Sequence, residues 1–327
     1  MGIRNLNQYL RNNCEQSIRC INLAELSGKR IVVDTSIYLY KYETENALLE
    51  NIYLMLSIFR HYNIIPIFIF DGKPPLEKKS LLIKRKEGRD EAMIEYTKLQ
   101  FQLNDKDNLN ESDKQDILSS IEQLKKQIVQ INKVKIEKVK KLIRAYGATY
   151  FDAPGEADVL CALLVIKKKV WACLSEDMDL FVYGCTRVLR YFSLIGHTAV
   201  LYYMKGILEE LNMTQKEFKE ICVLSGTDYN MNANGSEKID KVNLNMTLKH
   251  FRKYKNSNSK LSFYHWLNEN NDYISDIELL FKINNMFDVD YNNEIIETFK
   301  NIKICNGAII HNDIKHIMEE EDFIFIN

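Results

Sequence analysis

The chain has 327 residues, with 44 Lys plus Arg against 45 Asp plus Glu and a formal net charge of −1. It is long enough for a sizeable core, but it has no global basic excess for gripping nucleic acid, so any such contact must come from local patches. The seven Cys form no CxxC pair and the six His no HxxxH arrangement, which argues against a disulfide framework or a zinc site and makes a reducing compartment the default.

No apolar run approaches the roughly 20 residues that span a bilayer, and the N-terminus has no apolar signal region. A soluble protein without a membrane partner is expected. In chain order, short runs rich in Ile, Val, Phe and Tyr alternate with segments of helical periodicity. RIVVD starts at Arg30, IPIFIFD at Ile65, GATYFDA at Gly147, VWACL at Val170 and TRVLRYF at Thr186. Their apolarity is continuous rather than alternating, which predicts strands covered on both faces. Leu48 to Tyr62 and Ala157 to Ile166 read as helices. The expected fold is therefore α/β, a central, mainly parallel sheet flanked by helices.

From Lys73 to about Lys141 the chain is highly charged, with Ile117, Ile121, Leu124, Ile128 and Ile131 at helical intervals. Two or more helices are expected there, standing off the sheet as an arch or cap, with a turn at Asn104 to Ser112. Beyond about Gly206 the chain turns helical and Asn-rich, with a loop at NSNS near Asn256.

The acids fall where these strands end. Asp34 closes RIVVD, Asp71 closes IFIFD, Glu156 and Asp158 open the helix after TYFDAP, and Asp177 and Asp179 follow VWACLSE. In an open parallel sheet the carboxyl ends of the strands form the ligand edge. Carboxylates converging there repel one another unless a cation sits among them, and oxygen-only ligands favour Mg²⁺ or Mn²⁺. Two such ions roughly 4 Å apart activate water and stabilise a leaving oxygen in phosphodiester cleavage. A single acid after a strand is ordinarily a helix cap or a solvated turn residue, and Glu176 and Asp152 read that way. The recurrence at several strand ends points to metal-dependent chemistry, with kinase-like or phosphatase-like phosphoryl transfer as competing readings.

Six stretches, MGIRNL, VVDTSIYLY, FIFDGKPP, DAPGEADVLCALL, SEDMDLFVYG and LSGTDY, occur in the order seen in flap endonucleases. Over about residues 1 to 230 the chain resembles these enzymes and the wider XPG-like family of structure-specific 5′ nucleases. The resemblance implies a PIN-like nuclease fold with four regions: an N-terminal nuclease region at 1–72, a helical gateway and cap at 73–133, an internal nuclease region at 134–228, and a helical DNA-binding region at 229–327. It implies that Asp34, Asp71, Glu156 and Asp158 hold one Mg²⁺, that Asp177 and Asp179 hold a second, and that Asp228 contributes through water. Mn²⁺ would substitute. Asp158 stands where eukaryotic relatives often have Glu.

The resemblance further places Lys78 and Arg85 on the scissile phosphate as catalytic residues, within a basic patch that includes Lys84, Lys86 and Arg89. Gly2 would lie beside the DNA junction, and Tyr40 would stack on an unpaired base; without the family, Tyr40 between Tyr38 and Tyr42 would read as half-buried packing. After GTDY the family carries a glycine turn that binds K⁺ and a duplex phosphate. Here Gly235 matches the first glycine, but Glu237 and Lys241 replace the second glycine and the alanine, which argues against K⁺. Lys249, Arg252, Lys253 and Lys255 are expected to grip duplex by charge instead. The ending EEEDFIFIN lacks the motif that docks relatives on the sliding clamp, and a monomer is expected. The implied activity is Mg²⁺-dependent 5′ flap endonuclease and 5′ to 3′ exonuclease cleavage of branched or flapped DNA in replication or repair. RNA degradation at the same site, or non-catalytic binding of branched DNA, are the alternatives.

Overall fold

The computed structural model describes residues 3–104, 111–229, 242–288, 299 and 301–324. Its centre is a seven-stranded sheet: β1 (Ile18–Asn22), β2 (Arg30–Asp34), β3 (Ile65–Phe70), β4 (Thr149–Asp152), β5 (Ala172–Leu174), β6 (Arg187–Ser193) and β7 (Thr198–Tyr203). The order across the sheet is β1-β7-β6-β5-β2-β3-β4. The five strands from β6 to β4 run parallel, and they are the five apolar runs of the sequence. The strands β1 and β7 add an antiparallel edge.

Continuous apolarity in these strands has the expected cause. Ile31, Val33, Phe68, Phe70, Ala172, Leu174 and Leu189 face one core, while Val32, Ile67, Ile69, Cys173 and Val188 face the other. Successive side chains alternate between faces, so a strand covered on both sides needs an apolar residue at every position. The first core is closed by α2 (Thr35–Thr44), α3 (Leu48–His61) and α6 (Lys133–Ala145). The other is closed by α1 (Leu6–Asn13), α7 (Ala157–Ile166), α8 (Asp179–Val182), α9 (Met204–Leu211) and α10 (Gln215–Ser225). Around these pack α11 (Leu244–Asn256), α12 (Phe263–Asn270) and α13 (Ile277–Met286).

The charged segment forms α4 (Lys79–Asn104) and α5 (Glu111–Ile128), which pack on each other. Among the described residues of α4 only Leu81 and Ala92 are buried, so this helix gives little of its surface to the core. Ile121 is buried, with Ile117, Leu124 and Ile128 half-buried on the same face. The turn expected at Asn104 to Ser112 falls partly outside the described residues. No described helix is long and apolar enough to cross a membrane.

A returning C-terminal segment staples the far end of the sheet. Gly307 N donates to Gly147 O at 2.7 Å, Ile310 N to Ala145 O at 2.8 Å, and Asn306 Nδ2 to Ile64 O at 2.9 Å. The segment ends in α14 (His311–Glu319), whose Ile314 and Met318 enter the core beneath α6.

Candidate active site

The chain runs outward from β2 through β3 to β4, then returns to the other side of β2 for β5 and β6. Neighbouring strands that lead away in opposite directions leave a crevice between their carboxyl ends, where open α/β sheets bind ligands. Here that crevice lies between β2, which ends in Asp34, and β5, which leads into Ser175, Glu176 and Asp177. Asp71 follows β3 next door, and Glu156 and Asp158 sit at the start of α7.

Short bonds tie these turns together. Ser175, fully buried, donates from Oγ to Asp34 Oδ2 at 2.8 Å and accepts from Asp177 N at 3.0 Å. Asp177 Oδ1 accepts from Asp179 N at 3.1 Å. Asp71 takes the hydroxyl of Ser36 on one oxygen and Ala157 N at 2.8 Å on the other, so it caps α7 from a different strand. Gly72 makes this approach possible: its N–H donates to Gly155 O at 2.7 Å, and a Cβ there would stand 2.0 Å from the Ala153 carbonyl oxygen. Gly72→Ala is expected to push the turns bearing Asp71 and Glu156 apart. An ångström of misplacement is worth about a hundredfold in rate, and steady-state kinetics on any cleaved substrate would show it; a variant as fast as wild type would show that the close approach is dispensable.

The acids act on one another. Asp34 is raised well above the ordinary carboxylate range by burial, then by Asp71, with Asp158 and Asp177 adding to it against the Ser175 hydrogen bond. Asp158 is pushed up to about 8, first by burial and then by Glu156, with Asp177 adding and Lys78 opposing. Asp179 is raised by burial and by Asp177, Asp158 and Asp228. All seven carboxylates therefore share one electrostatic neighbourhood. Among the described residues, however, no three of them are drawn up as a ready-made ligand set. Cations of the chain stand there instead: Lys78 Nζ lies 2.5 Å from Glu156 Oε1, and Arg85 Nη2 lies 3.0 Å from Asp228 Oδ2. Burial pulls Lys78 down, but Asp158, Glu156 and Asp179 outweigh it and its pKa is raised.

The residues fit a hard divalent ion. Asp179 Oδ1 is buried with no hydrogen-bond partner, the donors are all oxygen, and the raised acids lack the positive charge that would let them ionise together. The sign of the linkage follows. A carboxyl whose folded pKa lies above its unfolded value keeps its proton in the folded form while the unfolded chain has lost it. Stability is therefore lost as pH rises from about 4 toward the folded value near 8 for Asp158. At pH 8 in EDTA, Asp158→Asn is expected to melt about 1–2 °C above wild type, as removal of about 1 kcal/mol of repulsion from a chain of this size requires, and Mg²⁺ should narrow the gap. Equal melting temperatures in EDTA would contradict it.

Three residues here carried no assignment from the sequence. Ser36 and Ser175 lie inside the acid-bearing motifs, and small hydroxyls beside Asp are the signal that could have flagged them. Tyr229 donates from its hydroxyl to Glu156 Oε2 at 2.6 Å, with Lys78 Nζ 4.9 Å from its ring centroid.

Of the two acids read as solvated or capping, Asp152 is exposed and ion-paired, whereas Glu176 is half-buried and bonded to another strand. Asp152 pairs with Lys140 at 2.8 Å. Glu176 accepts from Tyr191 N at 2.5 Å through Oε1, and its Oε2 lies 3.4 Å from Nε of the buried Arg190. Arg190 also donates to the Glu176 carbonyl at 3.0 Å and to Asn7 Oδ1 at 2.5 Å, and Tyr202 OH reaches the same Asn7 oxygen at 2.8 Å. The pairing of β6 with β7 shifts register between Arg190 and Ser193, and Tyr191 turns to φ 54°, which re-aims the strand end at this network. The peptide preceding Asp177 is thus held by α1 and β6. Arg190→Met is expected to cost about 3 kcal/mol, because it strands a partly buried carboxylate, and to raise the Mg²⁺ needed for half-maximal cleavage. Urea unfolding and a Mg²⁺ titration would check both, and an unchanged Mg²⁺ requirement would leave Arg190 with a purely structural role.

Of the remaining sequence candidates, Tyr40 is exposed on α2 while Tyr38 and Tyr42 are buried. Lys84 is exposed and Arg89 half-exposed on α4. Lys249, Arg252 and Lys253 are exposed on α11, but Lys255 is paired with Glu217 at 2.5 Å, which removes it from a free basic face. Gly2, Gly235, Glu237 and Lys241 lie outside the described residues.

The fold is shared with nucleases of known structure. The catalytic core of Rad2 in complex with DNA substrate superposes with a TM-score of 0.60 at 19% identity, covering 98% of this chain and 94% of that one. Flap endonuclease-1 from Methanococcus jannaschii gives a TM-score of 0.55 at 19% identity, covering 92% and 94%. In sequence, residues 1–92 match the XPG N-terminal domain and residues 147–228 the XPG I-region. Flap endonuclease 1 of Zea mays is 31% identical over 248 residues, 70% of this chain and 62% of its own length, so the chain spans less than two thirds of that relative. The chain belongs to the XPG-like family, whose N-terminal and I-region domains together match just over half of it.

Proposed function

We propose that this chain is a metal-dependent, structure-specific 5′ nuclease that hydrolyses phosphodiesters of flapped or branched DNA, leaving a 5′ phosphate. The observation that carries the reading is the convergence of seven carboxylates on the crevice between β2 and β5, one oxygen of Asp179 buried and unpartnered, with Lys78 and Arg85 reaching the same acids. Asp34, Asp71, Glu156 and Asp158 would hold one Mg²⁺, and Asp177 and Asp179 a second, with Asp228 nearby. When bound, such a pair activates a water and stabilises the leaving 3′ oxygen.

The chain's own residues do the rest. Lys78 and Arg85 release Glu156 and Asp228 and turn to the scissile phosphate, whose negative charge replaces that of the carboxylates. The Ser175 hydrogen bonds hold Asp34 and the Asp177 peptide in register. Tyr40 offers an exposed face for an unpaired base on the helix that Asp34 opens. The pair α4 and α5 admits a single strand past Lys84 and Arg89. Lys249, Arg252 and Lys253 hold duplex through charge alone, so binding weakens steeply with salt. The turn at Gly235, whose Glu237 and Lys241 argue against K⁺, lies outside the described residues.

A panel of labelled flap, nick, gap, four-way junction and single-stranded RNA substrates with Mg²⁺, repeated across KCl concentrations, tests the proposal. Preferential cutting of flaps at the junction supports it. Faster turnover of RNA would reassign the same site to RNA, and binding without cutting of any member would leave a scaffold.

A further inference from the structure

The opposite edge of the sheet, where the parallel strands begin, carries a second charged surface that the nuclease reading does not use. Cations reach it from three parts of the chain. Lys29 and Arg30 open β2, Lys168 and Lys169 precede β5, and Arg187 opens β6. Lys29, Arg30, Lys168 and Lys169 are exposed and Arg187 is half-exposed. None of the five is in an ion pair with a described carboxylate, whereas Lys205 beyond them is paired with Glu209.

A run such as Lys167 to Lys169 at the end of a helix is ordinarily a solvated complement to the helix carbonyls. That accounts for one contributor and not for the others. It also leaves the aromatic residues unexplained. Trp171 N donates to Arg30 O at 2.8 Å, and Arg187 pairs with Tyr203 across β6 and β7. Cation and aromatic therefore alternate along the sheet edge in the order Arg30, Trp171, Arg187, Tyr203. Lys29 Nζ lies 6.0 Å from the Trp171 ring centroid, and the Arg187 guanidinium lies 5.2 Å from Trp171 and 5.7 Å from Tyr203. Trp171 and Tyr203 are both partly exposed, two strands and so about 10 Å apart. Five cations gathered on one edge of a chain with a formal net charge of −1 leave the remaining surface net acidic, which directs a polyanion to this edge.

We propose that this edge is a second binding surface for single-stranded nucleic acid, separate from the catalytic crevice. Phosphates pair with Lys29, Arg30, Lys168 and Lys169, and bases stack on Trp171, Tyr203 and the Arg187 plane between them. A helix or an acidic protein segment would use the charges but not the aromatic faces. The catalytic edge faces the other way along strands of about five residues, so one molecule can hold a strand here while a junction occupies the crevice. This surface does not depend on cleavage, and its binding is measured without metal.

The test uses the full chain in EDTA, a fluorescent 15-mer of thymidylate, and a saturating unlabelled short flap duplex to fill the catalytic edge. Wild type should still bind the 15-mer. The variant Lys29→Glu/Lys168→Glu/Lys169→Glu, and its neutral form with Gln at the same positions, should lose at least about tenfold in affinity. The salt slope should fall by about 0.7 for each phosphate contact removed. Trp171→Ala should lose about tenfold with the slope unchanged. Cleavage of a minimal flap by the triple variants should match wild type. The proposal is overturned if the flap duplex displaces the 15-mer completely, or if the triple variants bind it as wild type does. It is also overturned if polyglutamate competes as well as the oligonucleotide and Trp171→Ala has no effect, which would assign the edge to an acidic protein segment.

Discussion

The double variant Asp177→Asn/Asp179→Asn is expected to lose cleavage by at least about a thousandfold, equivalent to about 4 kcal/mol of transition-state stabilisation, while still binding flap DNA. Both residues follow β5 at the crevice, and the Asp177 carboxylate accepts from the Asp179 backbone N–H. Amides are nearly isosteric, so the backbone is retained, but each removes the negative charge and one of the two oxygens that a carboxylate offers a divalent ion. Binding survives because the basic residues on α4 and α11 are untouched, and replacing the buried Asp179 and the half-buried Asp177 by amides adds no repulsion of phosphate. Single-turnover cleavage beside fluorescence anisotropy on one flap would check this; substantial turnover by the double variant would sink the metal-nuclease reading.

Lys78→Ala should reduce the rate of the chemical step by about a hundredfold, in the range of losing one preorganised donor to developing charge. The ammonium is mostly buried, 2.5 Å from Glu156 and 4.9 Å from the Tyr229 ring, so it cannot wander into solvent between turnovers. A second effect separates catalysis from scaffolding. Lys78 competes with any divalent ion for Glu156, so the variant should need less Mg²⁺ for half-maximal activity although its maximal rate is lower. A lysine serving only to hold the fold would instead show a lower melting temperature, an unchanged maximal rate and no shift in Mg²⁺ requirement.

The five parallel strands were legible because a strand buried on both faces must be apolar throughout, and Ile65 to Phe70 satisfies that without exception. The acids were legible because chain order puts each at a carboxyl end. The strand β1 was not, since among its five residues only Ile21 is buried, leaving neither alternation nor a continuous run. The strand β7 was missed beside it because an antiparallel return depends on a partner that local pattern does not name. Glu176 was misread for a similar reason: its partners Arg190 and Tyr191 lie on another strand, and a register shift that no periodicity announces brings them to it. Tyr40 shows the converse limit, since three tyrosines at alternate positions of a helix point in different directions and only packing shows which one meets solvent.

The bond between Gly147 and Gly307 bears on how the protein is made. It joins the turn before β4 to a segment 160 residues later, and α14 then seals the core beneath α6. At about 5–20 residues per second, a ribosome that has made β4 works for roughly 8–30 s more before Gly307 is added. During that interval the apolar underside of α3 and α6 has no cover of its own. A chain made as far as Asp228 therefore carries every acid of the crevice while the underside of α6 still lacks the cover that Ile314 and Met318 supply.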